Sequence, residues 1–300
     1  MSADTTTSDV LQGVELAGRT AVVTGVSAGL GVETARALRS VGARVIGAAR
    51  DLDKARTALA GVDGVELVAL DLADLDSVRT AATEVLARVD RIDLLINNAG
   101  VMAPPLSRTA QGFELQLGTN HLGHFVWTNA LTPRLGPGSR IVNVSSRGHL
   151  RSPMRWDDPH FRDEATYEKW TAYGQSKTAN VLFTVELEKR LSAQGIHAYA
   201  LHPGVIMTEL SRHLSADDLT ALASRVPAGA LTLKDVSAGA ATTLWAATSP
   251  ELEGRGGLYL EDCHVADVTP GDGSAGYAPY AMDSDEAARL WEWSLEQTAP

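Results

Sequence analysis

The chain has 300 residues, of which 37 are acidic and 26 are lysine or arginine, for a formal net charge of −11. That balance argues against nucleic acid or an anionic membrane as the main partner, although a pocket inside an acidic protein can still be basic. One cysteine, Cys263, excludes an internal disulfide and fits a reducing compartment. No apolar run reaches membrane-spanning length, and the first ten residues lack a signal peptide's basic and apolar regions, so a cytoplasmic protein is expected.

Residues 1–16 are polar and unpatterned, which predicts a loose N-terminal tail. The β-branched run from Arg19 to Thr24 reads as a buried parallel strand that stops at Gly25, and helical period takes over at Val32. A second strand over 43–49 runs into Arg50-Asp51, and 52–60 has a helical composition. A third strand over 65–70 ends at Asp71, followed by a helix over 74–88 with Asp74 as its cap. A strand over 92–96 ends at Asn97-Asn98-Ala99-Gly100, and a long helix is expected over 110–131. A strand over 140–144 ends at Ser145-Ser146, and 147–165 is irregular. The helix carrying Tyr173 runs to about 193, and a strand over 196–201 ends at His202-Pro203-Gly204. Residues 208–225 are weakly helical, 234–247 more clearly so, and 257–260 form a last strand. The segment 266–300 divides into a loop and a helix starting near Asp283, with Ala287, Leu290, Trp291 and Leu295 as its apolar stripe. Repeated strand–helix units with no linker predict an α/β fold, a single domain over 1–300 with a doubly wound parallel sheet flanked by helices.

Chemistry-bearing residues gather at the strand ends. Gly25, Gly29 and Gly31 lie between a strand and a helix, a Rossmann-type arrangement in which backbone and helix N-terminus receive a pyrophosphate. The second strand ends without the carboxylate that would bind the ribose hydroxyls of NAD. Arg50 stands there instead, which favours NADP(H) over NAD(H), and Ser27 can bond the same phosphate. Asp71 could accept from the adenine amino group or simply cap a turn. Asn97 and Asn98 could line the site or fix the loop backbone. Tyr173 and Lys177, four residues apart, share one helical face, and a neighbouring ammonium lowers a phenol's pKa from about 10. Ser146 could hold a substrate oxygen beside them. Asn120 is a poor helix former that interrupts its helix. His121 and His124 flank it without completing a metal set, the Asp262-Cys263-His264 group does no better, and no metal is expected. The Gly-x-Ser-x-Gly elbow of a serine hydrolase is absent around Ser145-Ser146.

In this order Thr24–Gly31, Asn97–Gly100, Asn120, Ser146, Tyr173–Lys177 and Pro203-Gly204 resemble the short-chain dehydrogenase/reductase family, from about Leu16 to Leu260. The stretches 119–125 and 173–183, with the long insert before Tyr173, look like its retinol-dehydrogenase-like branch. The resemblance implies that Tyr173 is the general acid/base and that Lys177 lowers its pKa and binds the nicotinamide ribose. It implies that Ser146 orients the reacting oxygen and that Asn120 holds a proton-relaying water. Asn98 would support the cofactor pocket and Thr208 would contact the carboxamide. Gly25, Gly29 and Gly31 would carry the pyrophosphate, Asp71 the adenine and Arg50 the 2′-phosphate, with Leu30, Leu72, Ala99, Gly100, Pro203 and Gly204 alongside. Ala28 stands where some relatives carry a second basic residue, and an apolar N-terminal anchor like that of membrane-bound relatives is not expected.

The expected activity is hydride transfer between NADP(H) and a carbonyl or alcohol of a medium-sized, fairly apolar small molecule. Residues 147–170, 205–230 and the segment after Leu260 are its expected pocket walls, with Met154, Trp156, Trp170, Met207 and Leu210 supplying apolar surface. The alternatives are a C=C reductase on the same fold and a non-catalytic nucleotide-sensing protein. A homodimer or homotetramer through the Asn120 and Tyr173 helices fits the family pattern.

Overall fold

In the computed structural model, residues 1–215, 218, 233–269, 271 and 273–299 are described. Eight strands form one sheet in the order β3-β2-β1-β4-β5-β6-β7-β8. They are β1 (Thr20–Thr24), β2 (Arg44–Ala49), β3 (Val65–Ala69), β4 (Leu94–Asn97), β5 (Arg140–Val144), β6 (His197–His202), β7 (Leu258–Glu261) and β8 (His264–Val265). All pairings are parallel except β7 with β8. β8 was not expected. It follows a two-residue turn in which Asp262 and Cys263 both take positive φ, a geometry whose twist suits an antiparallel hairpin.

The β-branched runs are buried on both faces because helices cover both. Ala21 and Val23 of β1 join one apolar cluster, and Val22 between them joins the other. On the first face α2 (Gly29–Ser40) packs against α8 (Val236–Thr248), and on the second α4 (Leu75–Arg88) packs against α6 (His124–Leu131). The long α7 (Lys169–Leu191) packs against α9 (Ser284–Thr298). A short α3 (Leu52–Ala58) follows β2 and begins at its Asp51 cap. Asp74 caps α4, as its sequence position implies, accepting from the Asp76 N–H at 3.0 Å.

Three expectations need correction. Residues 1–16 are not a loose tail throughout: α1 (Thr7–Val10) carries a capping box at Thr6, and Thr7 meets Glu33 and Ser237 through its side chain. Val10 and Leu11 are buried, so two apolar side chains in a polar stretch were enough to dock it. The helix expected over 110–131 is broken into α5 (Leu115–Leu117), a π-helical turn over Gly118–Gly123, and α6. In α9 the inward stripe is Ala287, Leu290, Trp291 and Ser294. Leu295 is exposed, because Ser294 turns its hydroxyl to His121 Nε2 at 2.7 Å. Of the weak helix over 208–225, a 3-10 turn over Glu209–His213 is present, and most of the remainder lies outside the described residues.

Candidate active site

The strand order reverses between β1 and β4, so the connections from these neighbours leave in opposite directions. A crevice opens beyond their carboxyl ends, the usual ligand position in such sheets. A cleft of about 1030 Å³ lies there. The candidate catalytic and cofactor-binding residues line it, apart from Gly31, Asn97 and Asn120.

At the β1–α2 turn the backbone leaves no room for side chains. Gly25 has φ +80°, and a Cβ on it would lie 2.9 Å from the Cα of Ala99. A Cβ on Gly31 would come within 2.3 Å of the Gly25 carbonyl oxygen, so α2 starts hard against the turn. Asn98 holds the opposite side, donating from Nδ2 to the Thr24 carbonyl at 2.8 Å. It both fixes the loop backbone and lines the cleft. Thr24 was not singled out as a site residue, yet its hydroxyl oxygen accepts the N–H groups of Asn98 and Ala99, each at 3.0 Å. With both acceptor positions taken, its own proton must go to His124 Nε2 at 2.9 Å. His124 then carries its proton on Nδ1 and donates to the Asn120 carbonyl at 3.0 Å. Burial keeps this ring neutral, its pKa pushed down to about 4. His124 is thus the packing histidine expected, but one that wires the glycine turn to the π-helical turn.

That turn is what brings Asn120 inward. Its Oδ1 accepts from the Val101 N–H at 2.8 Å, and its Nδ2 donates to the Val101 carbonyl at 3.0 Å and to Ser176 Oγ at 2.9 Å. Single π turns inside helices recur at functional sites because the extra residue re-aims side chains. Asn97, deeper in the sheet, donates instead to Thr128 and Asn143.

Tyr173 lies in the second turn of α7, which begins at a Glu168 cap. It is 5% exposed, and it lines the cleft together with Ser146. Burial pushes its pKa up to about 12, against the opposing effects of Ser146 and the Arg151 charge. Lys177 is buried, with its Nζ 5.7 Å from the Tyr173 ring centre. It donates to the Val144 carbonyl at 2.9 Å, and burial pushes its pKa down to about 8. In the cofactor-free protein burial sets the phenol's pKa, and it stays protonated at neutral pH. Lys177 has no carboxylate partner among the described residues.

On the cofactor side Asp53 pairs with Arg56 and Asp51 caps α3, so neither holds Arg50. Arg50 is exposed on the cleft wall, with no hydrogen bond or ion pair among the described residues. Asp71 lines the cleft and also fixes its own turn, accepting from the Ala73 N–H at 2.9 Å. Thr208 lies across the glycine turn, its side chain 3.1 Å from where a Gly29 Cβ would stand. Glu209 beside it is ion-paired to Lys54, which ties the two rims together.

On the substrate side Trp170, Met207 and Leu210 line the cleft as expected, and so does Gly273 from the C-terminal loop. Met154 and Trp156 do not. Met154 is buried in a cluster with Leu182 and Leu290. The Trp156 indole N–H finds its acceptor in Glu286 of α9 at 2.6 Å, which turns the ring away. The part of the 205–230 wall beyond 215 lies largely outside the described residues.

The chain matches the short chain dehydrogenase family over residues 19–156. It is 42% identical over 286 residues to short-chain dehydrogenase/reductase prx1 of Penicillium roqueforti, covering 92% of this chain and 83% of that one. It is likewise 42% identical over 291 residues to retinol dehydrogenase 12 of Homo sapiens, covering 94% and 87%. A short chain dehydrogenase from Burkholderia cenocepacia, solved in complex with NADP, superposes with a TM-score of 0.68 at 27% identity, covering 82% of this chain and 97% of that one. The protein belongs to the short-chain dehydrogenase/reductase family, on its retinol-dehydrogenase-like side. It is an oxidoreductase of Rossmann fold. No helix among the described residues is long and apolar enough to cross a membrane.

Proposed function

We propose that this oxidoreductase interconverts a carbonyl and an alcohol on a medium-sized, fairly apolar small molecule, with NADP(H) preferred over NAD(H). The observation that carries this reading is the meeting of Ser146, the buried Tyr173 and the buried Lys177 on one cleft wall, with Lys177 one helical turn beyond Tyr173.

The residues fit a dinucleotide. A glycine turn that admits no Cβ lets phosphates meet backbone N–H groups at the start of α2. Lys177 is a buried cation on the cleft wall, and Arg50 offers a guanidinium unpaired among the described residues for a 2′-phosphate. Asp71, Leu72, Asn98, Ala99 and Gly100 would flank the adenine and nicotinamide ends, with Pro203, Gly204 and Thr208 opposite. When bound, NADPH supplies a hydride, which is the chemistry that no side chain can perform.

The protein's own work is orientation and proton transfer. Ser146 and Tyr173 would donate hydrogen bonds to the carbonyl oxygen, polarising it where negative charge develops. A phenol held protonated by burial is ready to give its proton to that oxygen as the alcohol forms. Lys177 and Asn120 would then return a proton from water. Trp170 meets Tyr173 edge to face, with ring centres 6.4 Å apart, and adds apolar cover to this side of the phenol.

The test is a panel of aldehydes, ketones and quinones followed by NADPH oxidation. Tyr173→Phe should lower turnover by about 10²–10⁴ while changing NADPH affinity only a few-fold. A Phe variant as active as the parent enzyme would remove the assignment. NADPH binding without oxidation by any carbonyl would favour the nucleotide-sensing alternative.

A further inference from the structure

Beside Ser146 the cleft wall holds two hydrogen-bond donors that proton and hydride transfer do not use. β6 ends on His202, which is 5% exposed, and its Nδ1 accepts the backbone N–H of Arg147 at 3.2 Å. A neutral imidazole whose Nδ1 accepts carries its proton on Nε2. That Nε2 is buried without a hydrogen-bond partner. Arg147 directly follows Ser146, and its Nε is also buried without a partner. Both residues line the cleft. Buried donors left unpaired are uncommon, and a charged one is the most costly to leave so. Two orphans on residues joined by a hydrogen bond, one of them cationic, mark a place for an anionic acceptor.

The surrounding charge agrees. Between Ser146 and Leu214, the described charged residues on the cleft wall are Arg147, Arg151, Lys177, Glu209 and Arg212. Glu209 is already paired with Lys54 across the cleft. A chain of net charge −11 therefore gathers cations on this wall and offers no uncommitted carboxylate among its described residues. Apolar side chains lie among the cations: Leu150, Trp170, Met207 and Leu210. Arg151 sits over Trp170, its guanidinium carbon 5.0 Å from the ring centre, so that even a charged residue is held against an apolar surface.

We infer that the substrate carries a carboxylate at one end of an apolar body, and that the Arg147 guanidinium and the His202 Nε2–H receive it while the carbonyl lies against Ser146 and Tyr173. The inference rests on the carbonyl-reductase reading and adds its substrate class. Two planar oxygens match one guanidinium edge and one ring N–H better than the three oxygens of a phosphate would.

The experiment compares suberic semialdehyde with its methyl ester, measured as kcat/KM with NADPH. The wild-type enzyme should prefer the acid by about tenfold or more, as expected when a charged hydrogen bond is removed from the ester. Arg147→Gln should reduce that acid-to-ester ratio by a similar factor, and added salt should reduce it in the parent enzyme. If the variant does not fold, the wild-type ratio and its salt dependence still decide the matter. Equal use of acid and ester by the wild type overturns the inference. So does an Arg147→Gln variant that keeps the ratio, or whose whole loss is explained by weaker NADPH binding. If NADPH binds but neither aldehyde nor any other carbonyl oxidises it, the carbonyl-reductase reading itself has failed, and that outcome is distinct.

Discussion

Around the β1–α2 turn the cleft wall is backbone against backbone, whereas around Ser146 and Tyr173 it is a lattice of side-chain hydrogen bonds and buried charges. At the first, specificity is steric: glycines 25 and 31 are there because no Cβ fits. At the second, polar side chains hold one another, as Asn120 is held by Val101 and Ser176, while Arg147 Nε and His202 Nε2 stay unpaired. The two are joined by the Thr24–His124–Asn120 chain of hydrogen bonds. A wall made of backbone tolerates almost no change in side-chain volume but is indifferent to pH. A wall made of buried polar groups should tolerate shape changes better and respond to protonation.

The largest effect expected from that contrast is at Gly31. A Cβ there would stand 2.3 Å from the Gly25 oxygen and 2.6 Å from Asn98 Nδ2, so Gly31→Val must push α2 away from the turn. Overpacking of this kind costs about 1–3 kcal/mol or more, and here it also disperses the N–H groups that would meet a pyrophosphate. Titration with NADPH should show binding weakened by two orders of magnitude or more, roughly the equivalent of losing two good hydrogen bonds to charge. Binding within a few-fold of the parent would mean that the turn is softer than its packing implies. Arg50→Ala tests the same half by charge alone. NADPH affinity should fall about tenfold while NADH affinity changes little, since only one of the two carries a 2′-phosphate. Equal losses for both nucleotides would leave Arg50 a surface cation and remove the cofactor preference.

The same contrast explains what could be read in the sequence. The parallel strands were legible because burial on both faces demands uninterrupted apolar runs such as 20–24 and 140–144. The glycine turn was legible because only glycine satisfies its steric constraints. Tyr173, Lys177 and Ser146 could be placed at one sheet edge from strand ends and helical spacing. Their electrostatics could not: whether Lys177 or desolvation governs the phenol depends on where Nζ points, and it points to the Val144 carbonyl. Asn120 signalled an interrupted helix by its poor propensity, but not that the interruption would be a π turn. Thr24 and His124 were missed as a relay because the contact joins residues 100 apart. A strand-terminal threonine directly before the glycine turn was the only local hint. Trp156 and Met154 were misplaced because an irregular segment has no period from which to read a facing direction.

The smallest effect is also the most direct probe of the polar half. Lys177 has its pKa lowered to about 8 in the folded protein, against about 10.4 in an unfolded chain. Between those values the unfolded state holds the proton more tightly, so folding stability contributed at this site rises with pH. Below about pH 8 the full cost of burying the ammonium is present; it is relieved as pH climbs towards 10. Tyr173, raised to about 12, acts in the opposite direction, but only above about pH 10, where a normal phenol would begin to ionise. Thermal melts of the cofactor-free protein should therefore be compared with Lys177→Met between pH 7 and 10, a window in which Tyr173 is silent. The Met variant should lie highest relative to the parent at pH 7, and the difference should move in the parent's favour by roughly a few degrees by pH 10. A difference that stays flat across the window would mean that Lys177 is solvated in the free protein. One that moves the other way would mean that a hidden carboxylate holds its proton, and the wall around Tyr173 would then be less desolvated than its geometry implies.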